Sequence, residues 1–345
     1  MKLSGFFSAV ALASLPFALL ACGGGDDGGG GGGAPDAAPA CTAPEGDHTY
    51  VMNAVLLPRT INEAVSLYGL DIDGKAGDSQ GGVDNVVGSS LASLGAVDID
   101  VATTVSTAVA DGTIILLANL RADSLTNTSC ADVSVYLGEQ ADPAPCADEN
   151  DTECGRHLQG DASFVVSADS PDDATVGGRI IGGAFSVRAG DVPGSITLEL
   201  PAVEGVDPIA VNLIGAQIAI ESVSEDGLMQ GVIGGAVEVS EIENSIIPAL
   251  QQYVTTLLAD CTDAAPNCCP ADSTGAQALE ILDENMDCTV SNEEIATNQY
   301  VELLLDPDMD LLDASGNFAP NTDGEDDSLS LGLGFTATTA TFTVP

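Results

Sequence analysis

Carboxylates and carboxamides recur at alternate positions in one short stretch near the C-terminus: Asp283, Asn285 and Asp287, followed by Thr289, Ser291 and Glu294. Oxygen donors at positions 1, 3, 5, 7, 9 and 12 of a twelve-residue loop are what a hard divalent cation takes. Position 7 gives its backbone carbonyl and position 12 both carboxylate oxygens. Val290, at position 8, is the apolar residue that would anchor such a loop. Helix-compatible segments flank it, Ser273 to Leu282 and Asn292 to Leu305. Position 6 calls for left-handed backbone and carries Cys288, where a Cβ costs roughly 1 kcal/mol.

The stretch resembles the EF-hand loop. The resemblance implies calcium held by Asp283, Asn285, Asp287, the Thr289 carbonyl, Ser291 (through water) and Glu294. Position 6 departs from it: either a disulfide through Cys288 offsets the missing glycine, or the loop is distorted and weak. A second stretch, Asp71-Ile72-Asp73-Gly74 with Val83-Asp84-Asn85, is similar to the calcium turns of thrombospondin type 3-like repeats. Asp71, Asp73 and Asp84 are its candidate ligands. A third set, Asp306, Asp308 and Asp310, precedes Asp313, Asn321, Asp323 and Asp327. The competing reading of all three is solvated acidic structure without a metal.

Two enzyme-like patterns fail on their own chemistry. Gly69 to Lys75 matches most of a phosphate-binding loop, but Ala76 replaces the hydroxyl that reaches magnesium, and Asp71 and Asp73 would repel phosphate. Gly77-Asp78-Ser79-Gln80-Gly81 fits a nucleophile-elbow pattern but follows an Asp/Gly turn rather than a strand. The one histidine downstream of it is His157.

The chain carries 53 acidic residues against 7 basic ones, a formal net charge of −46. Nucleic acid is excluded as a partner, because phosphate binding needs clustered Lys and Arg. Acidity on this scale suits divalent-cation ligation or solubility in salty water.

Met1-Lys2 begins a leader whose apolar segment runs from Leu3 to Leu20 and ends in Leu19-Leu20-Ala21-Cys22. A basic start, an apolar core and a small-residue cleavage site make an export signal. The last four residues resemble the lipobox of bacterial lipoproteins, which implies cleavage before Cys22 and lipidation of its sulfur. The rival is an ordinary cleaved signal with Cys22 as a further paired cysteine. Gly23 stands where the lipoproteins it resembles carry an Asp when retained at the inner membrane, so the resemblance implies an outer-membrane address. Setting Cys22 aside leaves eight of the nine cysteines: Cys41, Cys130, Cys146 and Cys154 in one group, and Cys261, Cys268, Cys269 and Cys288 in another. An even number in an exported chain reads as four disulfides, expected within the groups.

These landmarks divide the chain. Residues 1–21 are the leader, 22–40 a Gly-rich anchored linker, 41–260 the body, 261–325 a Cys-rich EF-hand-like lobe and 326–345 closing strands. Within the body, Tyr50–Leu57, Thr113–Leu120, Val133–Leu137, Ser163–Ser167, Gly178–Val187, Ile196–Leu200, Ile209–Ser222 and Leu228–Val239 read as strands. Ile181-Gly182-Gly183-Ala184 recurs as Ile233-Gly234-Gly235-Ala236, which suggests two similar hairpins. Ser240 with Glu243 matches a capping box ahead of an apolar face from Ile246 to Leu258; Ser245 is the competing cap. The expected fold is α+β: a central antiparallel sheet packed by amphipathic helices, with a disulfide-stapled helix–loop–helix lobe. The expected function is a lipid-anchored, calcium-binding cell-envelope protein with a binding or structural role. An exported hydrolase with a site not evident in sequence, or an apolar-ligand carrier, is the alternative.

Overall fold

The Val, Ile and Leu residues that alternate through the body line strands that pair in chain order and close on themselves. The computed structural model describes residues 44–75, 82–94, 101–147, 151, 154–171, 174–187, 194–200, 209–262, 265, 268–270 and 273–344. Ten strands are found there: β1 (Asp47–Leu56), β2 (Leu116–Ala122), β3 (Asn127–Asp142), β4 (Ser163–Val166), β5 (Thr175–Ile181), β6 (Ala184–Val187), β7 (Gly194–Leu200), β8 (Ile209–Ser224), β9 (Gly227–Glu238) and β10 (Ser328–Thr339). Eight form a closed antiparallel barrel in the order β1-β2-β3-β5-β6-β8-β9-β10, with β10 returning to β1. β4 pairs with β3 and β7 with β8, outside that ring.

This overturns the expected α+β sheet packed by helices: the protein is mainly β, and its central element is a barrel. Closure rests on one pairing that no local pattern announces, β1 against β10, with Tyr50 opposite Thr339 and Leu56 opposite Gly334. Strand length also hid the ring. β3 extends over 16 residues, through polar ends that extend well beyond its apolar centre Val133–Leu137. The two Gly-Gly echoes differ as well. Gly182 and Gly183, at φ +63° and +85°, form the two-residue turn between β5 and β6. Gly234 and Gly235 lie inside β9.

The interior is filled. Tyr50, Phe185 and Phe335 are its largest fully buried side chains, joined by Leu120, Leu137, Ile180 and Ile218. With aromatics at 4% of the chain, aliphatics supply the rest.

Among the described residues eight α-helices lie around this core: α1 (Ile61–Ser66), α2 (Val86–Leu94), α3 (Val101–Asp111), α4 (Val239–Glu241), α5 (Ile247–Leu257), α6 (Thr274–Leu282), α7 (Asn292–Ala296) and α8 (Gln299–Leu305). A π-helical turn, Ile242–Ile246, joins α4 to α5. Pro248 sits just beyond this π turn, in helix that runs on from Val239, and Ser245 lies inside the turn rather than capping α5. The expected box at Ser240 does not form; its hydroxyl donates to Glu238 Oε2 instead. None of the described helices is long and apolar enough to cross a membrane.

β10 is buried on both faces. Leu329, Leu331, Leu333 and Phe335 join the core, while Ser328, Ser330, Gly332 and Gly334 alternate with them under other chain segments. A Cβ at Gly332 would strike the Tyr68 carbonyl, and one at Gly334 the Tyr68 ring. Glycine here permits close approach of the segment between α1 and α2.

Among the described residues three disulfides join Cys146 to Cys154, Cys261 to Cys269 and Cys268 to Cys288. Cys130 is disulfide-bonded too. Cys22 and Cys41 lie outside the described residues, as do the leader and linker.

Candidate metal centre

The twelve residues from Asp283 to Glu294 join α6 to α7. Ser273 caps α6, its Oγ accepting the Ala276 N–H at 3.1 Å. The helix ends as Asp283 leaves helical geometry. The Asp283 carboxylate then turns over the loop. Oδ1 accepts the Asp287 N–H at 3.1 Å, and Oδ2 accepts the Cys288 N–H at 2.9 Å. Cys288 lies at φ +74°, the left-handed conformation that its loop position calls for. Asp287 Oδ1 accepts both the N–H and the hydroxyl of Thr289, and these bonds, with the Asn285 side chain, hold its carboxyl below the usual range.

Val290 is buried against the core, and Gln251 on α5 donates to its carbonyl at 3.1 Å. Ser291 and Glu294 form a capping box at the start of α7. Glu294 Oε2 accepts the Ser291 N–H at 2.9 Å and the Ser291 hydroxyl at 2.8 Å. Its other oxygen, Oε1, is buried without a hydrogen-bond partner, on a residue only 9% exposed. A buried carboxylate oxygen without a donor is costly, and a cation is one way to satisfy it. The donors are all hard oxygens, the set calcium takes. The donor set suits the ion by its chemistry, but among the described residues the carboxylates of Asp283, Asp287 and Glu294 do not converge on one point; each is turned to backbone or hydroxyl donors.

Among the described residues, three carboxylates do converge elsewhere. One oxygen each of Asp71, Asp73 and Asp84 lies within 4.8 Å of the others. Asp73 and Asp84 are buried and Asp71 is exposed. Asp84 Oδ2 accepts the Ile72 N–H at 2.7 Å, Asp71 Oδ1 that of Gly74 at 2.8 Å, and Asp73 Oδ1 that of Lys75 at 2.8 Å. This group could hold a cation. Asn85, beside it, has a different task, bonded to Gly332 on β10.

The third set is dispersed. Asp306 caps the end of α8. Asp308 takes the N–H and hydroxyl of Ser330, each at 2.7 Å, and burial pushes its carboxyl above the usual range. Asp310 Oδ2 accepts the Gly324 N–H at 2.7 Å, while its Oδ1 is buried without a partner. Asp308 and Asp310 thus serve separate stretches of backbone. What drew them together in sequence, spacing by two, places alternate residues on one face only while the strand-like geometry lasts.

No protein-family model matches this chain, and no curated protein or solved structure matches it. Function must therefore be argued from the site alone.

Of the two residues of the hydrolase reading, only His157 is described, and it does not support it. His157 is fully buried, its ring edge-on to Phe164 at 6.1 Å, rather than lining a cleft. Ser79 lies outside the described residues. Sequence reasoning missed Asn85 and Asp308 as structural pins. For Asn85 the signal available was its position immediately before helix α2, where a side-chain oxygen satisfies a free N–H; Asp308 meets Ser330 only through tertiary placement and carried no local signal.

Proposed function

We propose that this chain is a lipid-anchored, calcium-stabilised protein of the cell envelope, in which a packed barrel serves a binding or structural role. The observation that carries the calcium reading is Glu294 Oε1, a buried acceptor without a donor at the twelfth position of an oxygen-rich loop. The left-handed backbone of Cys288 and its bond to Asp283 support the same reading. In this proposal Asp283, Asn285, Asp287, the Thr289 carbonyl, Ser291 and Glu294 hold the ion. Calcium there acts structurally, neutralising part of the formal −46 charge. The anchor is the lipidated Cys22, with the outer membrane as its address because Gly23 follows it. A barrel interior occupied by Tyr50, Phe185 and Phe335 favours a scaffold over a carrier of apolar ligands.

The test is thermal unfolding in millimolar calcium and in chelator, with sodium chloride at matched ionic strength as control. Calcium at 100 times its dissociation constant stabilises by about 2.7 kcal/mol. Magnesium should do less, because it demands tighter octahedral geometry. Glu294→Gln should remove most of the calcium increment. If sodium chloride reproduces the whole shift and Glu294→Gln leaves it intact, the calcium reading is wrong, because screening alone relieves repulsion.

A further inference from the structure

We propose that the Cys268–Cys288 disulfide is the positioning element of the calcium loop, so that the loop's cation affinity depends on the redox state of this bridge. The inference rests on the calcium reading above. Cys288 occupies the sixth loop position at φ +74°, a conformation that glycine adopts freely and other residues, Met286 at φ +58° in the same loop among them, adopt at a cost. That conformation aims the Cys288 N–H at Asp283 Oδ2, 2.9 Å away. Its sulfur is bonded to Cys268, which is only 6% exposed.

The adjacent Cys269 is bonded to Cys261, just beyond the end of α5. Both of those sulfurs lie over Gly275 in the first turn of α6: a Cβ there would stand 2.7 Å from Cys261 Sγ and 3.4 Å from Cys269 Sγ. Two neighbouring bridges thus fasten the end of α5, the start of α6 and the sixth position of the loop to one point. The Cys268 bridge imposes from outside the loop a backbone turn that the local residue disfavours. Once it opens, Cys288 is free to leave the left-handed region and withdraw its N–H from Asp283. The Asp283 carboxylate then loses the bond that orients Oδ2.

Opening needs a dithiol reductant. The Sγ–Sγ bond breaks, two electrons and two protons pass to Cys268 and Cys288, and the reductant leaves as its own disulfide.

The experiment is calcium titration by calorimetry on the full chain in detergent, comparing the oxidised protein with two double variants. Cys268→Ser with Cys288→Ser should bind calcium about tenfold more weakly, since a left-handed non-glycine costs about 1–2 kcal/mol. Cys268→Ser with Cys288→Gly lacks the same bridge but has glycine at position six, and should return to within about threefold of the parent affinity. Treating the parent with dithiothreitol should reproduce the first loss. Circular dichroism of both variants checks that the barrel persists. The inference fails if the Ser/Ser variant binds as tightly as the parent, or if glycine rescues nothing, in which case the bridge acts only on overall folding. Absence of calcium binding in the oxidised parent would overturn the calcium reading and this inference together. Normal parent binding with an unchanged Ser/Ser variant overturns this inference alone.

Discussion

Asn85 completes the hydrogen-bond ladder of β10 at Gly332. Its Nδ2 donates to the Gly332 carbonyl at 3.0 Å, and its Oδ1 accepts the Gly332 N–H at 2.8 Å. The pairing of β1 with β10 has already ended at Gly334, so a side chain continues what the strand cannot. The same amide donates to the Ala64 carbonyl at 3.1 Å and accepts the Gly88 N–H at 3.0 Å, which ties α1 and α2 to the barrel wall.

Asn85→Ala should therefore be among the most destabilising single changes outside the apolar core. It strands a buried N–H and a buried carbonyl on Gly332 and removes a helix cap. Each unsatisfied buried group costs about 1–3 kcal/mol, so a loss of about 3–4 kcal/mol is expected in urea unfolding followed by circular dichroism. A loss below 1 kcal/mol would mean that water replaces the amide and that the site is not sealed.

Glycines at two places should fail for different reasons. Gly332→Ala drives a Cβ into the Tyr68 carbonyl, and overpacking of this kind costs about 1–3 kcal/mol. Gly182→Ala meets nothing within 4 Å but keeps φ +63°, so it should cost only the left-handed penalty of about 1 kcal/mol. Adding Tyr68→Gly should leave the Gly332→Ala cost in place, because the clash is with backbone. Equal costs at the two sites would contradict this division.

How much of this was legible in sequence depends on whether the determinant was local. The alternation in Leu329 to Phe335 and in Ile209 to Ser222 marked strands without help. The Asp283–Glu294 spacing marked a loop between helices, and α6 and α7 flank it. Barrel closure was not legible, because Tyr50 and Thr339 meet only after the intervening strands are ordered. Nor was the fate of the Asp306 group: Asp308 is claimed by Ser330 and Asp310 by Gly324. Both claims depend on where β10 and the 321–324 turn come to rest. A carboxylate's partner is decided by tertiary placement, and spacing shows only what it could ligate.

His157 gives a pH dependence. The ring is fully buried, and neither nitrogen has a hydrogen-bond partner of good geometry. Burial lowers its pKa from 6.5, and the nearby Val109 carbonyl and Asp111 only oppose that in part. The folded state therefore favours the neutral ring. Stability from this group is complete above about pH 6.5 and is lost as pH falls through the lower folded value. Asp308 and Glu199, pushed up by burial, act with opposite sign, gaining stability as pH falls through their raised values. The clean readout is thus the difference between the parent and His157→Leu. Parent stability minus variant stability should fall as pH drops below 6.5. A difference constant from pH 8 to pH 5 would show that the ring accepts a proton without penalty.

The anchor proposal predicts that Cys22→Ala either frees the protein into soluble fractions or leaves the leader uncleaved. Intact mass of the parent should show a lipid-modified N-terminus at Cys22. Parent protein lacking diacylglycerol and beginning after residue 22 would reject the anchor.

The group of Asp71, Asp73 and Asp84 allows a test of electrostatics apart from any ion. Three carboxylate oxygens within 4.8 Å of one another repel. At that separation a pair of unit charges interacts by about 1 kcal/mol in a water-like dielectric, and by more where the surroundings are less polar. Asp73 and Asp84 are buried and hold loop backbone, so changing them would confound repulsion with lost hydrogen bonds. Asp71 is exposed, and asparagine keeps the oxygen that accepts the Gly74 N–H. In chelator, Asp71→Asn should therefore raise stability by about 1 kcal/mol, and the gain should shrink as sodium chloride is added. Asp71→Ala, which also removes the turn bond, should gain less. If Asp71→Asn is destabilising in chelator at low salt, the hydrogen bond to Gly74 outweighs the repulsion and the three carboxylates are not in conflict.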